Sequence, residues 1–489
     1  MSAARVRTWI IRGLAAGLLG SATLGVDPPG EAMAEARTAE ASAVKVLSVP
    51  AGRIAEPVVA VDSRDSNHIA VAADPYLNPT RIQVSTSRDG GRTWSRRVDL
   101  VPPGYRRSYD PKLAFTPDGD LLVSGGAAKG TRPYCLPGSA VFLARLDDGR
   151  PRYDIVAKAG TNTFLDRPSL LYDAPTRSTI VSWTRATGPQ VWCQAVAEHA
   201  TTRLAWKRGD GAFQTRRLAT PAPAVYGSLL TSAGPGRVAV AVGGWYPSGK
   251  QRVGVTLVDL SSGEVQDSQT LRAATRPPLT LTEPSPLNLA EPSIAFREGS
   301  GFALAWTEKA KGPIRVRIAA SVDGSGWETS SGPSGQGVPM VPTLAYAPDG
   351  TLLLLEARVS AGKLRYTLWE RADDEWERVR DLGQTAAGRY VEIGELLGLA
   401  TSGSSVVTAI PLGGSKRSWL SVRVHRWTVP PPASPSSRSV RPTTVTSKPP
   451  SAGGPRELLP SALGVALAVP MVVGAVVFGA VRRRRRRSR

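Results

Sequence analysis

The run Ser87-Arg88-Asp89-Gly90-Gly91-Arg92-Thr93-Trp94 decides the fold of this chain, because it fills every defined position of the eight-residue pattern S-x-D-x-G-x-T-W. Ser, Asp and Gly are turn residues for separate reasons: the short polar side chains bond nearby backbone, and Gly takes conformations that a Cβ obstructs. A pattern whose work is to hold a turn together speaks for architecture more than for activity.

Outward from that turn, residues 44 to 428 carry a weak internal repeat. Each unit opens with an apolar strand, often introduced by an acid and Pro, followed by a turn and a second apolar strand. The openings are Glu56–Val61, Asp110–Phe115, Pro168–Tyr172, Gly227–Leu230, Glu291–Phe296, Pro342–Tyr346 and Leu396–Leu399. They lie roughly 50 to 65 residues apart, room for four short antiparallel strands each. A turn between third and fourth strands recurs at Asp89-Gly90, Asp148-Gly149, Asp210-Gly211, Ser262-Gly263, Asp323-Gly324 and Asp373-Asp374. Ser321 to Trp327 is a shortened copy of the full motif, and Phe213 and Trp376 are candidates for its Trp position elsewhere. The last unit has three strands and then runs into proline. Val44–Val49 has the length and period to supply the fourth, joining the two ends of the ring.

The eight-residue run resembles the Asp box of the sialidase-type β-propellers, the BNR-repeat proteins. In that family the Asp and Ser side chains bond the backbone of a hairpin turn and the Trp plugs between strands. The resemblance covers about 385 residues as a repeat pattern, with one specific motif. It implies an all-β propeller; the repeat favours seven four-stranded blades, while the family's usual six are the alternative.

Both ends of the chain read as targeting segments. Arg5, Arg7 and Arg12 precede the apolar stretch Gly13 to Val26, and Ala32-Met33-Ala34 offers small residues for cleavage, so residues 1–34 are expected to be a signal peptide. Residues 429–457 are rich in Pro, Ser and Thr and form an expected disordered stalk. Leu458 to Val481 is uncharged and long enough to span a bilayer as a transmembrane helix. The arginines in residues 482–489 then make a cytoplasmic tail, leaving the propeller outside. Together these predict a single-pass plasma-membrane protein, and low Lys against high Arg, Ala, Gly and Pro adds the expectation of a bacterial cell surface. The net charge of +21 does not point to nucleic acid, since much of the excess sits in the tail, the signal segment and the stalk.

In a propeller the starts of the innermost strands converge around the central channel, on the face opposite the Asp-box turns. The candidate ligand residues there are Arg53, Glu56, Arg107, Asp166, Arg167, Tyr226 and Arg389, with Asp110, Glu291 and Tyr390 as candidates for catalysis. Arg106, Tyr109 and Glu392 are neighbours of the same set. Carboxylates, guanidinium groups and phenols in one place suit an anionic or hydroxyl-rich ligand. The resemblance implies an arginine triad for a substrate carboxylate, a Tyr–Glu nucleophile and an Asp acid/base. It also implies F/Y-R-I-P on the first innermost strand, where this chain has Ala55-Glu56-Pro57, without the arginine.

Three function classes remain: a propeller that binds extracellular glycan or protein without catalysis, favoured by the missing arginine; an exo-glycosidase of sialidase type; and a structural part of an envelope assembly. His68, His199 and His425 have no partner at metal-ligand spacing, and no nucleotide- or heme-binding pattern occurs, so neither metal nor cofactor is expected.

The chain has two cysteines, Cys135 and Cys193, at matching points between second and third strands of consecutive units. A disulfide stapling neighbouring loops is expected, two unpaired thiols being the alternative. Thiol titration of the denatured, unreduced protein should find no free thiol; two would rule the bridge out.

Overall fold

The computed structural model describes residues 38–39, 43–50, 54–75, 80–130, 137–147, 150–160, 162–188, 199–219, 224–245, 250–275, 292–309, 312–386, 397–414 and 417–427. The signal segment, stalk, apolar stretch and arginine tail lie outside the described residues, as do Cys135 and Cys193. Among the described residues no helix is long and apolar enough to cross a membrane.

The repeat folds into seven antiparallel blades. Blade one comprises Ile54–Val61, Ile69–Pro75, Ile82–Ser87 and Val98–Leu100, paired in that order. Blade two is built from Arg107–Phe115, Leu121–Ala128, Ala140–Asp147 and Arg150–Lys158, and blade three from Thr163–Asp173, Ser178–Thr187, His199–Arg208 and Gln214–Arg217. Blade four begins at Ala224–Ser232 and ends at Val265–Thr275; blade five runs from Ser293–Arg297 to Glu328–Ser331. A single pair, Thr275 with Lys309, links those two into one hydrogen-bonded sheet. Blade six spans Val338–Tyr346 to Glu375–Ala386. The first strand of each blade packs on the first strands of its neighbours, and blade seven closes the ring onto blade one.

Blade seven is the composite that the sequence predicts. Gly398–Ser402, Ser405–Gly413 and Arg417–Trp427 supply three strands, and Val44–Pro50 adds the outermost one along Arg417–Trp427, with Val46 opposite Leu420. Thr38–Ala39 continues along the same strand at Trp427 and Arg426. Val46, Leu47 and Val49 are buried with Leu420, Val422 and Val71, so the closure is an apolar seam as well as a ladder.

Sequence character follows position in the blade. Second strands, covered on both faces by adjacent blades, are mostly apolar: Ile69–Pro75 and Leu121–Ala128 are buried along their whole length, with Asp74 and Ser124 as their polar residues. Outer strands are more open: Arg150–Lys158 begins by alternating exposed with half-buried residues, and in the bulged strand Glu375–Ala386 Val379 and Leu382 are buried among more exposed neighbours.

The Asp box is built as its residues suggest. Ser87 Oγ accepts the Gly91 amide at 2.9 Å, while Asp89 accepts the Thr93 amide at 2.9 Å and its hydroxyl at 2.6 Å. Gly91 has φ +85°, and a Cβ there would press on Val424 of blade seven. Trp94 donates its indole N–H to Gly91 O at 3.1 Å. The shortened copy repeats the design: Gly324 donates to Ser321 Oγ and Trp327 to Gly324 O, each at 2.9 Å. Trp376 differs, donating to Ser331 O of the preceding blade at 3.2 Å.

These hydrogen bonds, led by that from the Thr93 hydroxyl, pull the Asp89 carboxyl down to about 2 from its ordinary 3.8. A depressed carboxyl stabilises the fold above its unfolded value, and that contribution disappears as pH falls through the folded value. Asp89→Asn is therefore expected to melt below wild type at neutral pH, with the gap closing as pH falls from about 4 toward 2. A gap that stays constant in thermal melts over that range would show that the carboxylate charge does not matter to the turn.

Candidate functional site

The acid–Pro pairs Glu56-Pro57 and Asp110-Pro111 lie within the innermost strands, at β-bulges, instead of at the strand starts that the sequence suggests, whereas Pro292 precedes its strand, Ser293–Arg297. Pairing of the first two strands slips between Ala55 and Val58, Tyr109 and Lys112, Asp166 and Ser169, and Met340 and Thr343. At each slip a residue with positive φ precedes a proline: Glu56 at 53°, Asp110 at 53°, Arg167 at 52° and Val341 at 46°. The proline suits the place because it has no N–H to leave unpaired where the ladder breaks. Positive φ is unfavourable for non-glycine residues, on the order of 1 kcal/mol or more each, and surrounding contacts must offset it.

Those contacts run from bulge to bulge. Asp110 Oδ2 of blade two accepts the Arg167 amide of blade three at 2.9 Å. Glu56 of blade one is hydrogen bonded to Asp110 in turn. Tyr109, just before the blade-two bulge, donates its hydroxyl to Leu165 O of blade three at 2.9 Å. Its ring lies where a Cβ on Gly126 would collide, so that glycine makes room for it.

Asp74 completes the group from the end of blade one's second strand. Oxygens of Glu56, Asp74 and Asp110 lie within 4.8 Å of one another, a spacing at which carboxyls share protons or ligate a hard cation. Burial, then the charge of Asp110 and its hydrogen bond, raise the Glu56 carboxyl well above its ordinary 4.5, so its neutral form is favoured. Arg107 is also buried; desolvation lowers its pKa and Asp74 opposes the shift. Tyr109 is raised well above 10, first by burial and then by Asp166, the reverse of what an activated phenolate needs. Arg167 lies beside Asp166, Nε to Oδ2 at 3.8 Å; Asp166 is the more open of the two, 25% exposed against 7%.

The structure thus brings together Glu56, Arg107, Asp110, Asp166 and Arg167 of the residues singled out by sequence, on blades one to three. Arg53, Glu291, Arg389 and Tyr390 lie outside the described residues, and of Tyr226 only the backbone is described, in the first strand of blade four. Ala55 is fully buried, so the first strand has no guanidinium at that position. Asp74 was missed; its signal is a lone acid, again followed by Pro, ending the apolar run Ile69–Ala73.

No known family profile matches the chain, and no curated protein matches it by sequence. Among solved structures it is similar to the GH93 α-L-arabinofuranosidase of Fusarium graminearum, at 13% identity over 80% of this chain and 98% of that one, TM-score 0.46. It is also similar to a PL25 ulvan lyase, at 10% identity over 78% and 96% of the two chains, TM-score 0.46. A Hadza microbial sialidase matches at 14% identity over 70% and 73%, TM-score 0.42. The activities of these proteins do not transfer at such values, and what the site can do rests on this chain's own residues.

A carboxyl with a raised folded pKa contributes fully below its unfolded value, and the contribution declines as pH rises above it. Glu56→Gln, which keeps a neutral side chain of the same shape, should match wild type below pH about 4 and become relatively more stable as pH rises above that. Equal pH–stability curves for the two proteins would show that Glu56 ionises freely in the fold.

Proposed function

We propose that the propeller is a glycan-recognition domain that binds at the channel mouth over blades one to three and does not turn its ligand over. The observation that carries this reading is the tie from Glu56 to Asp110 and from Asp110 to the Arg167 amide. Paired glycosidase carboxyls stand about 5 Å apart for a retaining reaction and about 6.5–9.5 Å for an inverting one, leaving space for sugar or water. Here two acids bond each other directly and one of them also holds the backbone of the next blade. Asp166, Arg167 and Arg107 remain as groups of mixed charge suited to hydroxyls. In the proposed setting the signal segment exports the domain, and Leu458 to Val481 holds it at the cell surface on its stalk.

One observation favours a second reading, an exo-glycosidase. Glu56 is pushed toward its neutral form beside another carboxyl, and such splitting is how acid and base roles are divided.

A single experiment separates the two. Purified full-length protein is offered a fluorogenic glycoside panel, sialosides foremost, and in parallel a glycan array. Glycan binding without turnover is the expected result. Turnover that drops at least tenfold in Asp110→Asn would establish the enzyme, and neither binding nor turnover would discard both readings.

A further inference from the structure

A cavity of about 660 Å³ lies away from the channel mouth, on the outer rim at the seam between blades seven and one. We propose that it is a second ligand site, and that it takes an anionic saccharide, sulfated or carboxylated.

The cavity depends on a bulge in the closing strand. Val46 pairs with Leu420 and Val49 with Ser418, so Leu47 and Ser48 fall outside the ladder, and Leu47 has φ 51°. Leu47 turns into the apolar seam while Ser48 stays exposed at the cavity wall. The bulge therefore opens a recess between the outermost strand of blade seven and the third strand of blade one.

The opposite wall is the segment that leaves the Asp box. Trp94 is fixed by its bond to Gly91 O at 3.1 Å. Ser95 is pinned on two sides, accepting the Thr86 amide at 2.9 Å and, through its carbonyl, the Ser85 hydroxyl at 2.8 Å. Arg96 and Arg97 follow directly on this anchored turn and line the cavity.

Charge selects the ligand. The cationic groups are Lys45, Arg96 and Arg97, against one carboxylate, Asp99, which bonds Arg97 Nε at 3.0 Å. Lys45 is steadied over the Trp419 ring at 4.4 Å, and Arg96 is exposed and makes no ion pair among the described residues. Cations set around an indole wall and hydroxyls suit a sugar ring that carries an acid group. The volume is within the usual range for small-ligand pockets.

Isothermal titration of the full-length protein tests this with three probes: a heparin-derived tetrasaccharide, its desulfated form retaining the uronates, and neutral maltotetraose. Saturable binding of one or both anionic probes and none of the neutral one is expected, weakening with added salt. Binding of the sulfated probe alone assigns a sulfate; binding of both shows that a carboxylate suffices. The Lys45→Glu/Arg96→Glu protein, and separately Ser48→Trp, which fills the recess without changing charge, should each lose at least tenfold in affinity. No saturable binding of either anionic probe overturns the proposal, as does undiminished affinity in both altered proteins.

Discussion

The hydrogen bond from the Arg167 amide to Asp110 is the constraint on which the channel side of blades one to three depends. It joins the bulge of one blade to the bulge of the next, and the bond between Asp110 and Glu56 extends the tie to a third. Each bulge holds a side-chain-bearing residue at positive φ, so the strained backbone and its compensating contact come from the same residues. The cost of burying acids is offset within the group, by sharing a proton and by taking a backbone donor from the adjacent blade. Serines make a similar stitch elsewhere: Ser169 accepts the Leu230 amide at 3.2 Å and Ser293 the Leu344 amide at 2.9 Å, each across a blade boundary.

Much of the fold was legible because its repeated parts obey local rules. Asp89 and Asp323 announce their turns through side chains that reach only a few residues along the chain. The closing strand was legible by subtraction, from one three-stranded unit and one unpaired apolar segment. The bulges were not: Pro111 marks a break in pairing, but whether that break falls at the start or the middle of Arg107–Phe115 depends on Leu121–Ala128 across from it. Asp74 escaped for the same kind of reason. Its role comes from Glu56 on the strand before it and Asp110 on the next blade, and the Pro that follows it is the one local mark that sets it apart from a strand-ending acid.

The Asp box and the channel acids show two uses of one residue type. Asp89 is half-buried at a surface turn, and its hydrogen bonds lower its proton affinity. Glu56 is enclosed beside other carboxyls, and its proton affinity rises. The first arrangement works in any hairpin, which is why it appears in turns away from the channel carboxyls. The second needs three strands from two blades to converge, so it reports on this particular ring.

The closing strand also bears on how the molecule is made. Val44–Pro50 leaves the ribosome among the first segments of the ring, whereas its partner Arg417–Trp427 is the last of the described strands to be made, and Val44 pairs with Val422 at the far end of the sequence; the ring closure also joins Asn67 to Arg426, 359 residues apart. Until then the edges of blades one and seven are both open, and the chain must carry the entropy of the largest loop the domain contains. Folding is therefore expected to finish in one late, slow docking event after the individual blades have formed. A ring sealed this way unfolds reluctantly from either end, because removing its first strand means opening the blade that holds its last.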